Sequence, residues 1–125
     1  MFHRALEKEP DSYYPRRMVI PMLENWAMEA ARRGDRGAAL ALARRVVELA
    51  DQVAAQEKIY ARAPGWPARV QGWMGEFYEL MGDRKAAAAA RENSRKLWKV
   101  VAARKGLPED LLAEARREST AGTLQ

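Results

Sequence analysis

His3 is the only histidine in the 125-residue chain, so neither a histidine-based catalytic dyad nor a multi-histidine metal site can be assembled from it. Cysteine is absent, which removes thiolate zinc sites, thiol nucleophiles and disulfide frameworks together. What remains for proton transfer is carboxylate. Glu7 with Glu9, and Glu76 with Glu79, are close in sequence, and paired carboxyls can divide acid and base roles when their surroundings separate their pKa values. A spacing of three on a water-facing helix more often leaves both groups ionised and solvated. No glycine-rich phosphate loop is present, and the glycines are expected at helix joints. An enzyme built on this chain would have to work with carboxylates and arginines alone. The expectation is therefore a non-catalytic protein with no metal and no cofactor.

The elements that must carry these side chains follow from composition and spacing. Apolar runs, Ala38 to Ala43, Ala86 to Ala90 and Val100 to Ala103 among them, fall far short of the roughly 18 residues of a membrane span. A soluble chain with no transmembrane segment is expected. At the start, Arg4, Glu7, Lys8, Glu9 and Asp11 are followed by no apolar stretch, so no secretory signal is read and a cytoplasmic location is favoured. The formal charge is +5, from 22 basic and 17 acidic residues, a mild preference for acidic partners.

Helices dominate the reading. From about 35 to 60, Ala39, Leu42, Val46, Leu49 and Val53 recur at intervals of three and four, widened by Ala43 and Ala50. From about 83 to 105, Ala86, Ala90, Leu97 and Val101 share one side, with Arg84, Arg91, Arg95 and Lys99 on the other. Gly34-Asp35 and Gly82-Asp83 precede these helices. In each, glycine can close one helix in a left-handed conformation and aspartate can cap the next. Upstream stretches 21–33 and 67–81 are helical too, with Pro21 and Pro67 suited to a first turn. The segment 63–67 is the strong internal breaker. This divides a single domain, 1–118, into hairpins over about 15–60 and 67–105, with flanking helices at 2–9 and 108–118 and a flexible tail at 119–125.

Among the aromatics, Trp26 and Tyr78 fall on faces expected to be buried. Trp98 falls at the edge of the basic face and Trp66 in the proline-rich loop, where either could touch a partner. Tyr13 and Tyr14 are expected in an extended or turn segment before Pro15. Eight basic residues lie between Arg84 and Lys105 against one acid, Glu92. A solvated surface is the ordinary meaning of such a face; an acidic protein, an anionic surface or nucleic acid are the alternatives, with only Trp98 available to stack on bases.

The series Met74-Gly75, Tyr78, Gly82-Asp83 and Ala87 resembles a tetratricopeptide repeat, a family recognised by a large apolar residue and glycine, then an aromatic, a turn and a small residue. Leu23, Ala27, Ala30, Gly34-Asp35 and Ala39 fit the same slots more loosely, and Phe2, Ala5 and Pro10 have the spacing with which such a repeat ends. The repeats are lengthened, 48 residues between the two joints against about 34 in the family. Gln71 and Arg91 stand where a tryptophan and a phenylalanine are usual. The resemblance implies an all-α fold of five to six helices, antiparallel helical hairpins stacked as an α-solenoid. It further implies a protein-interaction or scaffolding module that holds a peptide or partner helix on a concave face. That face would present Glu24, Asn25, Met28 and Arg32 from one repeat and Arg69, Trp73, Glu76 and Glu79 from the next. A chain opening in mid-repeat also fits a piece of something larger, and exposed end faces would favour self-association unless 108–118 acts as a cap. The alternative function is an adaptor that uses Arg84, Arg91, Arg95 and Lys99 to bind nucleic acid or an anionic surface.

Overall fold

The computed structural model describes residues 13–56 and 61–120, and every regular element in them is helical. In chain order these are α1 (Tyr13–Arg32), α2 (Arg36–Ala54), a 3-10 turn (Ala63–Gly65), α3 (Trp66–Leu80), α4 (Arg84–Ala103) and α5 (Glu109–Thr120). The helix expected at 2–9 and the residues 121–125 lie outside the described part. No described helix is long and apolar enough to cross a membrane.

Each boundary has a local cause. Asp35 and Asp83 cap α2 and α4, their carboxylates accepting from the Ala38 and Ala86 amides at 3.2 and 3.0 Å. Pro67 sits in the first turn of α3, where a missing N–H leaves nothing unpaired. Pro21 differs from its expected place: α1 begins eight residues earlier, at Tyr13, and Pro21 is inside it. Val19 and Ile20 are buried, so their burial draws the chain into helix ahead of the proline. The ring points to solvent, where the Arg17 carbonyl it leaves unpaired can be hydrated. Tyr13 and Tyr14 are therefore helical rather than extended. In α2 the apolar stripe stops at Val53 and the helix ends at Ala54, short of the expected Tyr60. Ser119 and Thr120, expected in the tail, close α5 instead.

The helices pack mainly on their sequence neighbours: α1 on α2, α2 on α3, α3 on α4 and α4 on α5, with a smaller contact between α1 and α3. The larger core joins Ile20 and Leu23 of α1 to Val46, Leu49 and Val53 of α2 and to Val70 and Phe77 of α3. Each such fully buried side chain contributes roughly 1.5–3 kcal/mol. A second, smaller core holds Ala68, Trp98, Val101, Leu111 and Ala115, and it is what seats α5.

Two aromatic expectations are corrected. Trp26 is 53% exposed, because Ile20, Leu23, Ala27 and Ala30 set the buried direction of α1 and Trp26 falls about 80° to one side of it at 100° per residue. Trp98 is only 3% exposed, covered by α5. On α4 the buried line is Ala87, Ala90, Ser94, Trp98 and Val101, one step round from the expected stripe, so Leu97 is left at the surface.

Candidate functional site

The two Gly-Asp joints have matching chemistry. Gly34 and Gly82 adopt φ of 78° and 80°, values that a side chain opposes. The Asp35 amide donates to Ala30 O and the Asp83 amide to Tyr78 O, each at 2.9 Å. The Arg36 guanidinium then donates to Met81 O at 3.4 Å, tying the start of α2 to the end of α3 and setting the joints side by side.

With α3 packed against both α2 and α4, those two helices make no substantial contact with each other. The space between them is an open groove of about 610 Å³ floored by α3. Leu40, Ala43, Arg44, Val47 and Glu48 line it from α2, Gln71, Met74 and Tyr78 from α3, and Ala86, Ala89, Ala90 and Asn93 from α4. Most of its lining is apolar, and Arg44, Glu48, Gln71 and Asn93 supply polar groups. The alanines of α4 are what keep it open, since any larger side chain there would fill it.

None of the eight residues expected on the α1 and α3 face lines this groove. Glu24 and Glu76 are near enough to interact: burial first, and then the Glu76 charge, push the Glu24 carboxyl up to about 7. Asn25 is exposed and Met28 is half-buried against the larger core. Arg32 pairs with Glu29 at 3.3 Å. Trp73 is half-buried and stacks on Phe77, with ring centroids 5.3 Å apart. Arg69 faces α5: its guanidinium meets Glu114 at 2.6 and 3.3 Å and lies over the rings of Trp66 and Trp98. Glu79 accepts from Arg91 at 2.6 Å, and that hydrogen bond and charge hold its carboxyl below the usual range.

The basic face of α4 is partly neutralised. Arg91 is bound to Glu79, and Arg95 to Glu92, whose carboxyl is lowered by that hydrogen bond. Arg84 and Lys99 are exposed. Among the described residues, no group of three or more acidic or histidine side chains is placed to hold a metal ion.

Periodicity left the groove lining unread. The run Ala86 to Ala90 was a signal for it, because a helix wall of small residues leaves room beside it. Gly72 and Gly75 lie inside α3 rather than at a joint. A Cβ on Gly75 would come within 2.7 Å of the Arg91 side chain, so glycine there permits the close approach of α4 and the Arg91–Glu79 pair. Ser94, buried among apolar neighbours, donates to Ala68 O at 2.8 Å across the same contact. No protein-family model matches this chain, and no curated protein or solved structure is significantly similar to it.

Proposed function

We propose that this chain is a non-catalytic protein-interaction module, a short stack of antiparallel helical hairpins in the manner of a tetratricopeptide array, which holds a helix or peptide of a partner protein. The observation that carries the reading is the groove between α2 and α4, lined mostly by apolar side chains with Arg44, Glu48, Gln71 and Asn93 among them. An apolar helix face laid into a groove, oriented by a few polar groups, is a recurring mode of recognition. The face formed by α1 and α3 is the weaker seat for the same activity. Arg32, Arg69 and Glu79 are already paired and Trp73 is stacked on its own helix, so those groups would have to exchange one partner for another. The adaptor reading on Arg84, Arg91, Arg95 and Lys99 is disfavoured because two of the four are paired with carboxylates. Trp98, the aromatic it would need, is buried.

Ala89 is exposed on the groove wall, so a photo-crosslinking amino acid placed there reports what enters without disturbing the core. In the cells of origin it should trap one defined polypeptide, and adding Ala86→Trp, on the half-buried part of the same wall, should fill the groove and abolish the adduct. The same probe at exposed Ala113 on α5 should trap none. Equal trapping at both sites, or trapping indifferent to the filled groove, would exclude the groove as the seat.

A further inference from the structure

The wall that α4 gives the groove continues past the cavity. Ala86, Ala89, Ala90 and Asn93 line the cavity from α4, and their spacing of three and four places them on one line along the helix. The same line runs on through Leu97 and Val100, each within about 30° of its mean direction at 100° per residue. Both side chains are open to water, Leu97 at 36% and Val100 at 62% exposure. The core line of α4, Ala87, Ala90, Ser94, Trp98 and Val101, lies about 90° round from it. From Ala86 to Val100 the strip is about 21 Å long, or four helical turns. Small residues over its first half let another helix approach closely, and larger apolar ones over its second half offer that helix something to cover.

The charges beside the strip are not balanced. Glu48 is the one carboxylate in the cavity lining, and it accepts from Arg45 at 3.2 Å. Arg44, in the same lining, has no carboxylate partner among the described residues. On the solvent side of the α4 line stand Lys85 and Lys96, both exposed. Glu92, whose carboxyl feels the Lys96 charge, is already hydrogen bonded to Arg95. Asp51, one turn beyond Val47 on α2, is exposed and counts on the other side. Among the described residues, Arg44, Lys85 and Lys96 thus border the strip against Asp51, and the field along it is positive.

Resting on the groove as the seat of binding, we propose that its occupant is an acidic amphipathic helix of a partner protein, about four turns long. Its apolar side chains lie along the alanine wall and over Leu97 and Val100, and its carboxylates turn toward Arg44 and Lys96. Charge of this kind selects the partner and speeds the encounter, while apolar contact holds it.

Two synthetic peptides of about 18 residues, long enough to hold a helix in isolation, test this against the full chain. Both carry leucines at i, i+4, i+7 and i+11; glutamates flank the stripe in one and lysines in the other. By fluorescence anisotropy at low salt, the glutamate peptide should bind at least about tenfold tighter, and the gap should close as salt rises. Arg44→Glu with Lys96→Glu should reverse the preference, and Val100→Ser should weaken both peptides. All three side chains are exposed, so circular dichroism should show the fold unchanged. Ala86→Trp should block both peptides. Equal affinities, or a tighter lysine peptide, with either blocked by Ala86→Trp, would overturn the acidic partner and leave the groove as a seat. Glutamate-peptide binding that ignores Ala86→Trp, or no saturable binding of either peptide, would overturn the proposal too, and the crosslink at Ala89 then decides the groove separately. Vesicles containing phosphatidylserine are the last arm. Binding to them that survives Ala86→Trp but is lost on Arg44→Glu with Lys96→Glu would assign these cations to an anionic membrane surface and overturn the proposal.

Discussion

Glu24 is held where α1 meets α3, and burial together with the Glu76 charge raises its carboxyl from an ordinary value of 4.5 to about 7. The folded chain therefore binds a proton more tightly there than the unfolded chain does. The stability this contributes is complete below the unfolded value and is lost as the pH rises through about 7. In urea melts at about pH 5 and about pH 8, the parent should lose stability at the higher pH, and Glu24→Gln should lose less. A parent more stable at about pH 8 would contradict the assignment. The lowered carboxyls of Glu79, Glu92 and Asp110 act with the opposite sign, weakening the fold only in acid, so they do not blur this window. The sequence offered Glu76 with Glu79 as its notable carboxylate pair. The fold instead sets Glu76 near Glu24 and gives Glu79 to Arg91, since partners drawn from other helices are fixed by tertiary approach and leave no trace in local spacing.

At the level of elements, the joints were the most legible feature, because a left-handed glycine followed by a capping aspartate is a local device that needs no neighbours to work. Gly82→Ala places a side chain at φ of 80° and should cost about 1–2 kcal/mol. Gly37→Ala is the contrasting case: it lies in the first turn of α2, where an added Cβ meets nothing within 4 Å, and it should stabilise by about 0.5–1 kcal/mol. Thermal melts of the two variants should move in opposite directions, and a shared direction would show that the joint is not strained as described. Helix interiors were legible to within a few residues wherever the apolar stripe was continuous, as along α2. The edges of a stripe were not: Trp26 and Leu97 looked inward and Trp98 outward, and each reversed according to whether a neighbouring helix reaches it. The groove went unread for a related reason. It exists because α2 and α4 stay apart, and a separation between helices is not written in the period of either one.

For the whole molecule, α5 is the element whose removal is most informative. Ending the chain before Glu109 uncovers Trp98, Val101 and Ala68 and strips Glu114 from Arg69. The shortened chain should self-associate on gel filtration and show red-shifted tryptophan emission, as arrays lacking a polar terminal unit do. A monomer with unchanged emission would mean that Trp98 is shielded by something other than α5. The all-helical class was legible from composition and periodicity. The inward turn of Arg69 beneath α5 was not, because an arginine at that spacing reads as surface until a carboxylate on a later helix meets it. One consequence of the neighbour-by-neighbour packing concerns how the chain reaches this state. Almost every helix contact joins elements adjacent in sequence, so little of the chain must be looped closed before burial begins to repay its lost freedom. Folding should then be fast for a chain of this length. The two separate cores further imply that it assembles and comes apart in sections, with α5 lifting away from Trp98 while α1, α2 and α3 stay packed on one another.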